Sequence, residues 1–337
     1  MIRYASVLIV CAMTIAVGAM TVVAIRADEA PAPPPKESSS KPAEKYLLRY
    51  KFKRGETLRW EVEHRAEVRT TVSGTTQTAE TTTTSVKNWK VTDVDSNGAA
   101  TFLYSVDSVD MRQKLTGRQE VRFNSKTDKD PPAGFQDAAK SVGVPLTTFT
   151  MDPAGKILDR REHVNREATQ STHPSVPLPE EAVPVGHKWS LTYEINATAK
   201  DRSIKKVQMR QQMTLDDVKN GIAVISVETQ ILSPVRQDPT IEAQLVQSES
   251  SGKIRFDIDS GRIASLQSDL DKHVVGFQGP TSSLHCTTRF GEKLLPPEEK
   301  TAAKPQPVAG PAPPSTKQPP RPQQRPTTQR PATRRVR

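Results

Sequence analysis

The neighbouring residues His285 and Cys286 are the most reactive combination of side chains in this sequence, and His273 lies a short distance before them. A histidine that removes the thiol proton turns cysteine into a nucleophile. Adjacent residues on a β-strand point to opposite faces, however, so His285 is poorly placed to deprotonate Cys286. The sequence therefore favours a partly buried structural thiol over a catalytic one.

An acidic segment before Gly98 matches the first half of a calcium-binding loop. Asp93, Asp95 and Asn97 alternate as oxygen ligands would, and Gly98 suits the sharp turn. The twelfth loop position needs a bidentate glutamate, but here it is Tyr104. The segment therefore predicts a turn between strands and no calcium site.

The histidines show none of the spacings typical of a metal site. They are His64, His163, His173, His187, His273 and His285. His64 stands out because it lies between Val62 and Ala66 on the apolar side of an alternating segment. A hydrogen-bonded core histidine is the favoured interpretation, and a ligand-binding histidine is the alternative.

Motifs for other kinds of catalysis are missing from the sequence. It has no G-x-S-x-G, Walker or Rossmann glycine pattern, and nothing singles out a pair of carboxylates for acid–base work. We therefore predict a protein that is not an enzyme, needs no cofactor and holds no metal. An enzyme that depends on Cys286 is the weakest alternative.

The elements that position these side chains are predicted to be strands. In residues 58–69, apolar and charged residues alternate strictly, with charges of both signs on the polar face. This period of two predicts a half-buried strand, and it returns in residues 191–199, 207–215 and 223–231. The threonine-rich residues 70–85 predict a hairpin or an exposed edge. Helices are predicted only at residues 135–142 and 157–169.

An order of sequence marks occurs twice along the chain. Each copy has a glycine before a tryptophan-containing strand, then an Asn-Gly turn, then a strand that begins with Phe and ends in an Asp…Gly turn. The first copy comprises Gly55, Asn97-Gly98 and residues 149–155, and the second comprises Gly186, Asn220-Gly221 and residues 256–261. Asn-Gly between alternating segments is a strong hairpin signal.

These marks predict a mainly β fold made of a duplicated antiparallel sheet, with few short helices and disordered termini. Because so few helices are available to cover it, the sheet should be a half-barrel, barrel-like or a sandwich, with both copies in one extended antiparallel system. We place the first β repeat at residues 45–169, a proline-rich linker at 170–185 and the second β repeat at 186–295.

The N-terminal residues 1–27 are typical of a secretory signal peptide. Arg3 precedes an uncharged run at residues 5–25, and Ala27 is a candidate cleavage residue. Ile25 stands where the peptidase prefers a small residue, so an uncleaved inner-membrane anchor formed by residues 5–25 is the alternative. Either way we predict export, to the periplasm, to the cell envelope or as a secreted protein. Residues 28–44 form a Pro/Ser-rich spacer.

Most of the net charge of +10 belongs to the C-terminal tail, residues 296–337. From residue 301 onward there are eight basic and no acidic residues, which leaves 40 basic and 38 acidic residues elsewhere. We predict a disordered Pro/Arg-rich tail, and two interpretations of it stay open: it binds polyanions, or it is a solvated spacer. The candidate polyanion-binding residues are Lys317, Arg321, Arg325, Arg330, Arg334, Arg335 and Arg337.

Three motifs together resemble a family of exported bacterial β-rich proteins that is known only as a domain of unknown function. They are residues 48–60, residues 149–157 and residues 178–189. The resemblance covers about residues 45–295. It implies export and a β fold, and it transfers no catalytic residue.

Two functions fit these observations. In the first, a non-enzymatic cell-envelope protein holds an apolar or lipid-like ligand in a cavity of its sheet. The candidate lining residues are Leu58, Trp60, Val62, Tyr193, Ile195, Met209 and Met213. In the second, the β region is a structural or adaptor platform, and its tail binds anionic envelope polymer or nucleic acid. The sequence indicates no oligomeric state.

Overall fold

The computed structural model of this chain describes residues 44–164, 175–234 and 238–297. These residues form strands, two short α-helices and a 3₁₀ turn (Val246–Ser248). The strands are β1 (Lys45–Tyr46), β2 (Thr57–Val72), β3 (Thr75–Val94), β4 (Ala100–Leu115), β5 (Val121–Asn124), β6 (Pro145–Met151), β7 (Ile157–Glu162), β8 (Val183–Pro184), β9 (Lys188–Thr198), β10 (Ile204–Lys219), β11 (Ile222–Ile231), β12 (Ser251–Asp257), β13 (Arg262–Val275) and β14 (Ser283–Leu294). The helices are α1 (Gln136–Lys140) and α2 (Pro239–Leu245).

Twelve strands form one antiparallel sheet. Their order is β7-β6-β4-β3-β2-β14-β13-β12-β11-β10-β9, with β5 beside β4, and β1 pairs separately with β8. Strand β2 pairs with β14 from Thr71↔Ser283 to Trp60↔Leu294, so this pairing joins the early strands to the late ones. The predicted mainly β fold, with a large antiparallel sheet and few short helices, is confirmed.

Two-residue turns connect β2 to β3 and β10 to β11, whereas the predicted Asn97-Gly98 turn is part of a longer connection, residues 95–99, in which only Gly98 has positive φ. Asn220 and Gly221 both have positive φ, 51° and 73°, which is the type I′ geometry of a tight hairpin. Ser73-Gly74 closes a β2–β3 hairpin in the same way. The predicted threonine-rich hairpin is confirmed, and the exposed-edge alternative is wrong because β3 also pairs with β4 from Ala79 onward.

The helix predictions were only partly right. Residues 135–142 contain the short helix α1, but residues 157–162 form strand β7, paired with β6. The backbone hydrogen bonds that β6 offers outweigh a weak local helix preference. Helix α2 was not predicted. Its N-cap is Asp238, whose carboxylate accepts hydrogen bonds from the backbone N–H groups of Thr240 and Ile241, and Pro239 stands in the first turn.

The largest hydrophobic cluster, cluster one, is shared by strands that are far apart in the sheet. It contains buried side chains of β2, β3, β4 and β6 together with those of β10, β11 and β12. The sheet therefore curves so that its two halves cover a common core. The face toward this core is called the inner face below.

A covering segment, residues 46–52, lies in cluster one between two matching turns. The backbone N–H of Tyr50 donates to the carbonyl of Pro153 (2.8 Å), and that of Lys51 donates to the carbonyl of Gly261 (3.2 Å). The Tyr50 ring meets Phe256 edge-on with centroids 5.4 Å apart, and Phe52 meets Phe102 at 4.7 Å. The segment thus ties the Asp…Gly turns of the two predicted repeats to the same core.

Two smaller clusters lie beyond cluster one. Cluster two joins β9 and β10 to Ile241 and Leu245 of α2, and cluster three joins β13 and β14 to Val246 of the 3₁₀ turn. Neither described helix is long and apolar enough to cross a membrane.

Candidate functional site

A row of cross-strand neighbours crosses the inner face, with its two ends in cluster one and its centre between clusters one and three. We call it the His64 row, and the register of seven strand pairings defines it. Its members are Met213, Val227, Gly252, Ser268, Phe290, His64, Thr83 and Met111. Directly opposed residues share a face of the sheet, so these side chains lie side by side.

Two polar atoms in this row are buried without a hydrogen-bond partner among the described residues. They are Nδ1 of His64 and Oγ1 of Thr83, which oppose each other across β2 and β3. Thr83 is only 6% exposed. Burial lowers the pKa of His64 because it disfavours the charged ring. The ring is therefore neutral near pH 7, with one nitrogen able to donate and the other able to accept.

An ion pair lies beside the row, on the side of cluster one. Lys87 Nζ is 2.5 Å from Glu292 Oε2, and each side chain is 14% exposed. The ammonium also lies 5.0 Å and 5.3 Å from the ring centroids of Trp60 and Trp89. Because burying one charge alone is costly, each of these charges depends on the other and on the aromatic faces.

Protein atoms cover the centre of the His64 row less than they cover its surroundings. Ser268, Phe290, His64 and Gly252 are half-buried. The flanking inner-face side chains of clusters one and three are almost completely buried, among them Ile225, Ile254, Leu284 and Cys286. The inner face thus has a partly open polar centre between two closed apolar regions.

The structure places the predicted apolar lining residues in two separate clusters. Leu58, Trp60, Val62 and Met213 belong to cluster one. Ile195 and Met209 belong to cluster two, and Tyr193 packs against it. On β10, the half-buried Gln211 separates Met209 from Met213. These residues already pack against other protein side chains, so they do not line one common space, and their role in binding stays a prediction.

Most of the side chains that line two cavities of the described residues are polar. The larger, about 230 Å³, lies between Glu63, Arg65, Thr82, Thr84, Asp110 and Arg112 on the outer face. The other, about 150 Å³, lies near the β-bulge at Val86 and includes Asp110, Asn124 and Lys126. Exposed charges of both signs compensate each other there, so neither cavity suits an apolar ligand.

Cys286 and His285 point in opposite directions, as the strand geometry requires. Cys286 is 1% exposed within cluster three. The His285 ring lies on the outer face, where its Nε2 is 2.7 Å from Asp271 Oδ1. This placement gives the Cys286 thiol no help from its neighbour.

The acidic segment before Gly98 is a turn. Asp95 Oδ1 accepts hydrogen bonds from the backbone N–H groups of Asn97 and Ala99, both at 2.8 Å. Asp152 accepts in the same way from Ala154 and Lys156. Within the described residues, no group of three or more His, Cys, Asp or Glu side chains is arranged to hold a metal ion.

The predicted signal peptide or anchor and the candidate polyanion-binding residues, from Lys317 to Arg337, lie outside the described residues. Sequence reasoning identified His64 but missed Thr83, Phe290, Lys87 and Glu292. The alternation of β2 was enough to place His64 inward. The other residues join it only through strand register, which the sequence does not contain. For Lys87 the sequence did contain a signal. In the alternation of β3 it takes the position between Ser85 and Trp89, which places it on the same face as these two residues.

Comparisons with known proteins leave the family open. No family model matches the chain, and no curated protein matches it. A solved structure that describes lipid–protein interactions in lipovitellin is 12% identical in sequence, with a TM-score of 0.39. The match covers 73% of this chain and 26% of the lipovitellin chain, so this chain spans about a quarter of that protein's length. A TM-score of this size does not bear on function.

Proposed function

We propose that this protein is an exported, non-enzymatic envelope protein that holds a lipid-like amphiphile against the inner face of its sheet. The observation that carries the proposal is the His64 row, which is half-buried at its centre and contains two unpartnered polar atoms. Buried polar groups in proteins are nearly always hydrogen-bonded. A ligand that reached this row would complete the hydrogen bonds of His64 and Thr83.

The chemistry of the row favours an amphiphile over a purely apolar molecule. A hydroxyl or ester group can accept from the neutral His64 ring or from the Thr83 hydroxyl. The flanking apolar surfaces, Val227 and Phe290 among them, suit a hydrocarbon chain. The Lys87–Glu292 pair is already neutralised, so it does not select for a charged head group.

Native mass spectrometry of the full chain tests this proposal. The protein would be purified gently from the envelope fraction of its own cells. We expect excess mass of the size of a lipid that disappears on denaturation. The bare polypeptide mass, together with no uptake of a fluorescent fatty acid by the purified protein, would contradict it. The same spectrum shows whether residues 1–27 have been removed.

A pair of substitutions on one strand locates the site. Ser268→Phe fills the inner face at the His64 row, whereas Gln267→Phe adds the same side chain to the exposed outer face. We expect Ser268→Phe to lower fatty-acid uptake at least several-fold and Gln267→Phe to leave it unchanged. Equal uptake by both variants would place the ligand elsewhere.

A further inference from the structure

The sheet ends in two edge strands of very different character. Strand β7 is short, carries Asp159, Arg160, Arg161 and Glu162 in succession, and has a register shift in its pairing with β6. Charges, shortness and bulges are the features that prevent edge strands from pairing with another chain. The β7 edge is therefore protected.

Strand β9, at the other end, is longer and more regular, and its only charged residues are Lys188 and Glu194. It spans Lys188–Thr198, pairs with β10 without a register shift and contains no proline. Its inward side chains, Trp189, Leu191, Tyr193, Ile195 and Ala197, are all apolar or aromatic. A long, regular edge strand of this kind is suited to pairing with a further strand.

The backbone groups that such a strand would meet can be identified. The residues that flank β9, His187 and Ala199, both direct backbone groups toward β10. The N–H of Leu215 donates to the carbonyl of His187 (3.0 Å), and the N–H of Ala199 donates to the carbonyl of Ser203 in the β9–β10 hairpin (2.8 Å). Backbone groups alternate in direction along a strand. The even-numbered residues of β9 therefore direct their N–H and C=O groups to the open edge.

Helix α2 covers one end of this edge. The Gln244 side chain accepts from Thr198 N–H (3.0 Å) and donates to Thr198 C=O (2.6 Å). The described residues provide no such cap for the outward backbone groups nearer the N-terminal end of β9. Those groups belong to Lys188, Ser190, Thr192, Glu194 and Asn196.

We propose that the β9 edge is the docking surface for a second copy of this chain, paired antiparallel about a two-fold axis at Thr192. The Gln244 cap determines this centre because it occupies the outward backbone groups of Thr198 and so limits the pairing to residues 188–196. Pairing of this range with itself is symmetric about residue 192. In this register Lys188 faces Asn196, and Ser190 faces Glu194. Thr192 faces itself, and all outward backbone groups find partners. The proposal is independent of ligand binding.

The side chains are complementary in the same register. On the inner face, Trp189 of one copy lies opposite Ile195 of the other, and Leu191 lies opposite Tyr193. On the outer face, Lys188 is diagonal to Glu194 of the second copy, a spacing that long side chains can bridge. Apolar residues thus meet apolar residues, and opposite charges meet, with no like charges directly opposed.

Light scattering coupled to size-exclusion chromatography tests the proposal on the full chain, over a broad dilution series. We expect twice the monomer mass for the natural sequence. Thr192→Pro removes an outward N–H that β10 does not use and should give the monomer mass, while the control Thr192→Ala keeps that N–H and should stay dimeric. A monomer of the natural sequence at every concentration would overturn the proposal. So would a Thr192→Pro protein that dimerises like Thr192→Ala.

Cross-linking gives a second test that does not depend on proline. Residues 192 of the two copies would oppose each other with Cα atoms about 5.5 Å apart, a separation that suits a disulfide. In a Cys11→Ser background, Thr192→Cys should give a covalent dimer on mild oxidation. Lys206→Cys, exposed on β10, should not. Equal cross-linking of the two variants, or none by Thr192→Cys, would overturn the proposal.

Discussion

At the scale of single residues, His64 is the unusual member of the inner face. Its neighbours along β2, Val62 and Ala66, are buried, yet its own Nδ1 lacks a hydrogen-bond partner among the described residues. A buried unpartnered nitrogen destabilises a fold. Its presence is easier to understand if a bound molecule completes the bond.

Because its pKa is lowered in the fold, His64 should make stability depend on pH. The unfolded chain takes up a proton as the pH falls through the ordinary value of 6.5, before the folded protein does. The contribution of the neutral His64 ring to the free energy of unfolding is therefore fully present above pH 6.5, and it is lost as the pH falls through the lower pKa of the folded protein. We expect the free energy of unfolding, measured by urea titration, to decline over this range.

His64→Leu should flatten this part of the pH profile. The control Ser268→Leu changes a non-titratable residue of the same row and should leave the shape of the profile as it is. The carboxylates with lowered pKa, Asp201, Asp257 and Asp269, titrate below their ordinary value of 3.8 and so do not overlap with this window. Parallel profiles for the natural chain and His64→Leu from about pH 8 to about pH 5 would refute the assignment.

The Lys87–Glu292 pair should show the asymmetry of buried ion pairs. Lys87→Met leaves Glu292 without its partner, and we expect a loss of about 3 kcal/mol in the free energy of unfolding. The double variant Lys87→Met/Glu292→Leu should recover most of that loss. The control Lys206→Met removes an exposed cross-strand ion pair in which Lys206 Nζ lies 3.5 Å from Glu194 Oε2. It should lower the free energy of unfolding by less than about 1 kcal/mol. Equal losses at positions 87 and 206 would mean that the inner pair is solvated.

At the scale of elements, the covering segment connects the two halves of the sheet. The Tyr50 hydroxyl donates to the carbonyl of Val176 (3.1 Å) and accepts from the same residue's N–H (3.2 Å). The turns at Gly155 and Gly261 approach the segment so closely that only glycine fits. A Cβ at Gly261 would lie 2.6 Å from Arg49 O, and one at Gly155 would lie 2.8 Å from Tyr50 Cε2.

This close approach predicts unequal effects of two glycine substitutions. Gly55 and Gly261 both have positive φ, so alanine at either costs about 1–2 kcal/mol of backbone strain. Gly55 has nothing near its Cβ position, whereas Gly261→Ala also collides with the covering segment and should lose about 1–3 kcal/mol more. Chemical denaturation of both variants checks this. Similar losses would show that the segment can move away freely.

At the scale of the whole molecule, the charge is distributed very unevenly. Residues 301–337 carry eight of the ten net positive charges. The rest of the chain is nearly neutral, so the platform hypothesis assigns polyanion binding to the tail alone. Electrostatic binding of this kind weakens steeply as salt rises.

Deleting residues 301–337 tests the platform hypothesis directly. The full chain should be retained on a heparin or phosphocellulose column at low salt, and the truncated chain should pass through. A full-length control in which the seven candidate residues, Lys317 to Arg337, are glutamine keeps the length and should also pass through. Equal retention of all three proteins would place the anionic contact in the β region.

The sequence by itself determined the local features of this protein. Alternation along β2, β9, β10 and β11 is a property of consecutive residues, so it predicted the strands and their inward faces. Asn220-Gly221 predicted its turn because few other dipeptides accept positive φ at both positions. Short, weakly patterned segments failed: residues 157–162 became a strand because β6 was available as a partner.

Tertiary structure decided what lies beside what. The His64 row and the Lys87–Glu292 pair arise from register between strands that are far apart in the chain. Met209 and Met213 lie on one strand, yet the packing of distant elements put them into different clusters. The exposure of the β9 edge likewise depends on where the sheet ends and on the Gln244 cap. These properties come from long-range pairing, whereas local sequence patterns report only on neighbours along the chain.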